Sequence, residues 1–415
     1  MYTFIIQFAD FLTTHRLHLF VIFFFIIWIR WFVISLASIS YKPYTKKVRF
    51  SNSVIIPVVD EPISVFKSVL SSINKQKPGQ IIVVINGPKN NSLEWLCKKY
   101  TNIECYWTKK PGKRNAIRLG MTKAKNEIIV IVDSDTIWQP KALSELLKPF
   151  IDPKIGGVTT KQQITNPDAT LISRLCEWME DIRSNGSMKA MSVAGTVGCL
   201  PGRTIAFRRS ILKQIMPDFM NEKFLGFHKE VSDDRSLTNL TLKAGYKTVL
   251  QSTSLVLTEA PKTWKKFIRQ QLRWSEGSQY NNIKMTPWMI RHAKLTLFIY
   301  WIDTIIPFML WGIYLSWILY LMIPNISASN LNYDVFNTNN TYALTALVLA
   351  GAYISYAFRH LRTIFDDWSQ IVYLPFYIFA LSFVLAPIRI IGFARLADDM
   401  SWGTRNNAYK GIHDE

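Results

Sequence analysis

The sequence predicts a doubly wound α/β domain joined to an α-helical transmembrane domain. Two patterns carry that expectation. Short β-branched runs alternate with amphipathic stretches through the middle of the chain, and apolar stretches of about 20 residues, the length that crosses a bilayer core of about 30 Å, flank that middle on both sides. Composition agrees: 415 residues with 49% hydrophobic content and mean hydropathy +0.10 are too apolar for an ordinary soluble protein and too charged to lie wholly in lipid.

The chain opens with an apolar stretch over residues 1–14, too short to span, which reads as an interfacial helix or as part of a longer span. Leu17 to Ser38 is the first spanning candidate. Its apolar run exceeds that of a signal peptide and ends in Tyr41-Lys42-Pro43 rather than a small-residue cleavage site, so residues 1–41 read as a retained anchor. Lys42, Lys46, Lys47 and Arg49 follow at once, and by the positive-inside rule they place the next segment in the cytosol.

Residues 42–262 are expected to form the α/β domain, with room for a core of its own. Ser53–Val59, Gln80–Ile85 and Glu127–Val132 are continuous apolar runs suited to strands buried on both faces, and Ile63–Ile73 and Ser92–Lys99 read as helices between them. Sheets of this nucleotide-binding type place ligands beyond the carboxyl ends of their strands. The residues there are Asp60 and Glu61, then Asn86 and Gly87, then Asp133, Ser134, Asp135 and Thr136. Asp, Asn and Gly are also good loop residues, which suffices for Asn86-Gly87 taken alone. Asp133-x-Asp135 asks for more: two carboxylates at this spacing after a buried strand can grip a divalent cation, Mg2+ or Mn2+, that also binds nucleotide phosphates.

Three further stretches carry chemistry. Lys109-Lys110-Pro111-Gly112-Lys113-Arg114 reads equally as a solvated loop or as cations for a diphosphate. Asp233 and Asp234, in Val231–Asn239, stand where carboxylates stabilise a helix N-terminus by about 0.5–2 kcal/mol, and where a general base for a hydroxyl acceptor could stand. Residues 263–294 read as amphipathic interfacial helices; in them Gln270-Gln271-Leu272-Arg273-Trp274 combines a ring suited to stacking on sugar with an arginine suited to phosphate.

Residues 295–393 supply Leu295 to Met322 and Ile371 to Phe393 as spans, with Tyr342 to Phe358 marginal in length, and residues 394–415 complete the chain. The loop Pro324–Thr341 holds no Lys or Arg and reads as external. Asp303 inside a span points to a polar cavity or partner, or else to headgroup depth among Trp301, Trp311 and Trp317. Cys97, Cys105, Cys176 and Cys199 match no zinc pattern and read as free thiols of a reducing compartment. The net charge of +20 suits anionic headgroups, and in part an anionic nucleotide or polymer.

Five stretches in this order resemble the processive family-2 glycosyltransferases, and within them the hyaluronan-synthase branch: Val132–Thr136 (VDSDT), Lys110–Arg114 (KPGKR), Phe224–Gly226 followed by Asp233–Asn239 (DDRSLTN), Gln270–Trp274 (QQLRW) and Trp402–Arg405 (WGTR). The resemblance implies a GT-A fold for the α/β domain and an inverting transfer of sugars from UDP-sugar donors to a nascent polysaccharide, at the plasma membrane of a multi-pass protein with a cytosolic catalytic domain. It implies that Asp133 lies near the uridine and Asp135 binds Mg2+ or Mn2+. Lys113, Arg114, Arg273 and Arg405 would meet the nucleotide, Asp234 would be the catalytic base, and Asp233 would support it. Gln270, Trp274 and Trp402 would form the acceptor and gating elements, and Cys199, in Gly198–Arg203, would neighbour the nascent chain without acting as a nucleophile.

The family usually carries an Asp pair where this chain has Ile85-Asn86-Gly87, so the uracil contact would fall to Asp60, Glu61 or Asn86. Ser232 stands where Gly is frequent before the Asp pair. Compact length and one strong N-terminal anchor are similar to the type 3 capsular polysaccharide synthases of streptococci, which implies UDP-glucose and UDP-glucuronate as donors. Hyaluronan synthesis, with N-acetylglucosamine in place of glucose, is the alternative. Membrane lipids, with a lipid primer as a candidate, are the further expected partners, and no nucleic acid is expected.

Four simple spans would leave both termini outside, whereas the WGTR stretch is expected at the cytosolic face. Either Ile371–Phe393, interrupted by Pro375 and Pro387, is irregular or re-entrant, or residues 1–14 and another segment add crossings. A non-processive lipid glycosyltransferase would share the sheet and the D-x-D pattern without needing QQLRW or WGTR. A transporter with a nucleotide-binding domain would need a G-x-x-x-x-G-K-[ST] loop, which the chain lacks.

Overall fold

A computed structural model describes residues 7–8, 10–12, 14–322 and 341–396. The described residues fall into two compact units: one runs from Ile34 to Tyr300 with the residues from Gly392 onward, the other from the N-terminus to Val33 with Trp301–Ile391. The expected WGTR loop, with Trp402 and Arg405, lies outside the described residues.

The first unit is built on an eight-stranded sheet in the order β3-β2-β1-β4-β7-β6-β10-β5. β1 (Asn52–Val58), β2 (Gln80–Asn86) and β4 (Ile128–Val132) are the three apolar runs of the sequence, and every residue in them is buried. They pair in parallel, with β3 (Ile103–Thr108) on β2. Side chains alternate between two cores because strand side chains alternate in direction. Val54, Ile56 and Val58 face α2 (Ile63–Asn74), whose Phe66, Val69, Leu70 and Ile73 form one helical stripe. Ile55 faces the other layer, with Ala116, Ile117 and Met121.

Helices thus cover both faces, as the doubly wound expectation requires. The sheet is nevertheless mixed. β7 (Thr204–Arg208) runs antiparallel to both β4 and β6 (Ile155–Ile164), while β10 (Lys247–Thr258) returns parallel to β6 and the short β5 (Thr136–Trp138) lies antiparallel on β10. Because β7 runs against β4, its beginning lies beside the end of β4. Asp133 N–H donates to the Arg203 carbonyl at 3.1 Å as the rung beyond that ladder.

Three helices are long and apolar enough to cross a membrane among the described residues: His18–Ile39, Lys294–Leu319 and Gln370–Ala394. The marginal fourth stretch forms the helix Thr341–Arg359. The segment with two prolines stays helical, but as Gln370–Phe379, a π turn over Ala380–Leu385, and Ala386–Ala394. Pro387 has no N–H to give a regular turn, and the wider π turn precedes it.

Asp303 finds its partner within this second unit. Arg30 donates to it twice, from Nε at 2.6 Å and Nη2 at 3.0 Å, and Arg389 donates to the Asp303 carbonyl at 3.2 Å. The forked guanidinium matches a carboxylate, so two charges costly in lipid neutralise each other. Arg30→Ala is therefore expected to destabilise the detergent-solubilised protein by about 3 kcal/mol, and adding Asp303→Ala should recover most of it. Thermal unfolding followed by monodisperse fraction measures this; equal losses in the single and double variants would refute the pairing.

Candidate active site

The strand order 3-2-1-4 reverses between β1 and β4, and a doubly wound sheet opens its crevice at such a reversal. Asp60 and Glu61 follow β1, and Asp133 to Asp135 follow β4. Across the gap Ser134 Oγ donates to Glu61 Oε1 at 3.3 Å. Asp133 and Asp135 are half-buried and Asp60 is exposed. Asn86 at the end of β2 is fully buried, and its amide donates to the Lys110 carbonyl at 2.5 Å, tying strand to basic loop.

That loop ends at Gly112, whose φ of +98° turns the chain into α4 (Lys113–Lys123). Lys113 Nζ donates to Asp133 Oδ1 at 2.5 Å. Burial pulls its ammonium toward neutrality, but Asp133, Asp233 and Asp234 outweigh burial and the net shift is upward. Lys113 is a fixed cation at the mouth of the crevice.

Arg114 corrects the sequence expectation that it meets the diphosphate. Only 4% exposed, it points away from the crevice. Nε donates to Asp233 Oδ1 at 2.9 Å, Nη2 to Glu222 Oε2 at 2.9 Å, and Nη1 to the Phe219 carbonyl. Neighbouring cations in sequence take different directions here because consecutive residues at a helix start are about 100° apart.

The Asp pair opens α9 (Asp233–Lys243). Its N-cap is Ser232, without a side-chain cap bond and at φ +66°, a left-handed conformation that a Gly would adopt more readily. Neither carboxylate is the cap. Asp233 is buried; burial pushes its carboxyl upward, and Arg114 and Lys113 act against it. Asp234 is half-buried and turned toward the crevice: Oδ2 accepts from Gly202 N–H at 3.0 Å and Oδ1 from Arg235 N–H at 2.8 Å. A Cβ built on Gly202 would lie 3.4 Å from both Lys113 Nζ and Asp234 Cβ, so cation and carboxylate flank the same glycine.

The side of the site near Trp274 is built by residues to which the sequence assigned no role. Arg203 Nη1 donates to Glu180 Oε1 at 2.5 Å and Gln162 Oε1 at 2.6 Å, and its guanidinium lies 5.8 Å from the centre of the Trp274 ring. Burial pushes Glu180 upward, but Arg183 and Arg203 outweigh it and hold it below the usual carboxylate range. Glu180 and Gln162 come from α6 (Leu171–Ile182) and β6, and their convergence has no local signal. Arg203 had one: it follows Pro201-Gly202 directly.

Trp274 is 38% exposed on α10 (Trp264–His292), the single helix that forms where interfacial helices were expected; Gln270 and Arg273 are half-buried on it. Gly277, on the same helix, allows close approach: a Cβ there would lie 2.7 Å from Ser232 Cβ. The four cysteines form no disulfide. Burial first, with Asp234 second, pushes the Cys199 thiol up to about 12. As a thiol, not a thiolate, it makes a poor nucleophile.

The family described as "Glycosyltransferase like family 2" matches residues 52–277. The chain is 29% identical over 265 residues to a hyaluronan synthase of Streptococcus pyogenes, covering 61% of this chain and 63% of that protein. It is 29% identical over 244 residues to an N-acetylglucosaminyltransferase of Azorhizobium caulinodans, covering 57% and 60%. Hyaluronan synthase 3 of Mus musculus is 32% identical over 195 residues, 46% of this chain and 35% of that one. The match therefore spans less than two thirds of the length of these relatives. A mannosyltransferase from Pyrobaculum calidifontis, solved in complex with GDP-Man and Mn2+, superposes with a TM-score of 0.63 at 16% identity, over 94% of this chain and 100% of that one. That likeness shows the fold, GT-A.

With its thiol protonated, Cys199→Ala should keep donor hydrolysis within about threefold of the unaltered protein. With the thiol held protonated by burial, iodoacetamide should label it slowly at pH 8. A loss of about a hundredfold, or rapid labelling, would make it a participant in the chemistry.

Proposed function

The chain belongs to glycosyltransferase family 2, and on that premise we propose that it is a membrane-integrated, processive, inverting synthase. In this reading it polymerises UDP-glucose and UDP-glucuronate into a capsular polysaccharide and passes the product across the plasma membrane from a cytosolic active site. The observation that carries the reading is the meeting of Lys113, Asp133 and Asp234 at the β1/β4 reversal, beside Gly202.

In this scheme the acceptor hydroxyl gives its proton to Asp234 as its oxygen bonds to the anomeric carbon of the donor. The bond from that carbon to the diphosphate breaks on the opposite face, and UDP leaves with the electron pair. Two backbone N–H groups hold the Asp234 oxygens in place, so a free lone pair is aimed without a search through rotamers. Lys113 meets the charge gathering on the diphosphate. Asp60 and Glu61 would line the nucleoside end, whereas Asn86, expected there from the sequence, is fully buried and acts from beneath by holding the Lys110 carbonyl.

A divalent cation fits the donor set. Asp133 and Asp135 offer carboxylate oxygens, hard ligands of the kind Mg2+ and Mn2+ prefer. Among the described residues no group of three or more His, Cys, Asp or Glu surrounds them, which suits an ion that completes its shell from phosphate and water. When bound, the ion would neutralise the leaving diphosphate.

Trp274 supports polymer growth as against single transfer: a half-exposed ring, held from one side by Arg203, offers its other face to a sugar. The three long apolar helices support the membrane location, and the Arg30–Asp303 ion pair joins two of them. Similarity to hyaluronan synthases keeps UDP-N-acetylglucosamine as the alternative to UDP-glucose.

The deciding measurement is polymer formation by purified protein with Mg2+ or Mn2+ and the three UDP-sugars, singly and in pairs. High-mass product only from glucose with glucuronate is expected. N-acetylglucosamine with glucuronate would make it a hyaluronan synthase, and short lipid-linked product alone would defeat the processive reading. Asp234→Asn should lower transfer by about 10³-fold or more while UDP still binds; substantial polymer from that variant would remove Asp234 from the base role. Excess chelator should stop turnover, and activity in its presence would exclude the metal role of Asp135.

A further inference from the structure

Beneath Asp234 lies a charge cluster that no donor or acceptor can touch. Arg114, Glu222 and Asp233 are 4%, 6% and 7% exposed. Glu222 Oε2 accepts from Arg114 Nη2 at 2.9 Å and from Ser236 Oγ at 2.5 Å, and its Oε1 accepts from Lys284 Nζ at 2.7 Å. Ser236 lies on α9 with the Asp pair, whereas Lys284 lies on α10 with Trp274. Tyr280, also on α10, donates to the Val231 carbonyl at 3.2 Å, and its Oη is 3.3 Å from Ser236 Oγ. The Glu222 carbonyl in turn accepts from Lys229 N–H at 3.1 Å.

A carboxylate this deep is costly unless fully paired. Burial pushes Glu222 upward, yet Arg114 and Lys284 outweigh it and hold it below the usual carboxylate range. It is an anion shared by two cations on different helices. Arg114 is the residue after Lys113 on α4, so a single carboxylate reaches three elements: the one that carries the crevice cation, the one that carries Asp234, and the one that carries Trp274. Buried polar networks of this kind hold one geometry because any displacement strands a charge.

We infer that Glu222, a residue from the loop after α8 (Arg209–Met220), is a positioning residue for sugar transfer. It sets Asp233 and Asp234 in register with both Lys113 and the acceptor-side helix. Without its charge, Arg114 keeps Asp233 as its one carboxylate partner, Lys284 loses its anchor, and α9 and α10 keep the Arg235–Asn282 and Asn239–Asn281 bonds but lose the carboxylate that both helices touch. The inference rests on the reading of Asp234 as the base and of α10 as the acceptor helix.

The test uses the full-length protein in nanodiscs, with UDP-sugar hydrolysis, polymer mass, UDP binding by calorimetry and thermal melting as readouts. Glu222→Gln keeps the shape and removes the charge; Lys284→Met cuts the α10 end and leaves the Glu222–Arg114 pair intact. Folded Glu222→Gln is expected to lose about 100-fold in kcat with donor KM and UDP affinity within about threefold. Lys284→Met should shorten the polymer while sparing most hydrolysis. The double variant should fall no further than Glu222→Gln alone, since the two act through one contact.

A folded Glu222→Gln protein with unchanged kcat, or additive losses in the double variant, overturns the inference. Should Glu222→Gln fail to fold, Lys284→Met decides, and polymer of ordinary length from it is the overturning result. Absence of UDP-sugar turnover in the unaltered protein would count instead against the functional reading, and would take this inference with it.

Discussion

A guanidinium held between two buried carboxylates governs the geometry of the first unit. Arg114 lies between Asp233 and Glu222 with a bond to each and a further one to the Phe219 carbonyl. The desolvation of three charges is large, and it is met only because each charge has its opposite within hydrogen-bonding reach. Burial alone would favour neutral Asp233, and its net shift is indeed upward despite Arg114. With Asp233 drawn inward, the next side chain on the helix, Asp234, is left facing the crevice. One carboxylate is used to fix the helix and its neighbour stays at the crevice.

Topology supplies the other half of the site. An all-parallel sheet would carry the start of each new strand to the edge opposite the crevice. β7 instead runs against β4, so the turn Gly202-Arg203 that begins it lies at the end of β4. The Arg203 carbonyl then holds Asp133, the Gly202 N–H holds Asp234, and the Arg203 side chain reaches back to Glu180 and toward Trp274. The antiparallel insertion joins Asp133 and Asp234 to the Glu180 and Trp274 side of the site through two consecutive residues.

The second unit solves its electrostatic problem differently. Asp303 and Arg30 neutralise each other side by side, and Arg389 closes on the Asp303 carbonyl. The π turn at Ala380–Leu385 accommodates Pro387 within a helix that remains long enough to span.

Much of this was legible in the residues themselves. Continuous β-branched runs bounded by acidic or glycine-containing turns mark β1, β2 and β4, since a strand buried on both faces has no polar face to show; the stripe Phe66, Val69, Leu70 and Ile73 marks α2. Asp133, Asp135 and Lys113 were recognisable because each directly ends a strand or begins a helix. Arg114 was not: a basic loop looks uniform in sequence, and only the packing of α8 and α9 decides that one cation faces the crevice while the next is buried. Glu180 and Gln162 lie 23 and 41 residues from Arg203, and Glu222 lies 108 from Arg114; an isolated polar residue reads as solvated surface until a fold buries it. Local pattern determines which segments become strands and helices, because backbone geometry and hydrophobic periodicity act over a few residues. The pairing of buried charges was decided by tertiary structure alone, because its energy depends on distances that only the folded chain brings into existence.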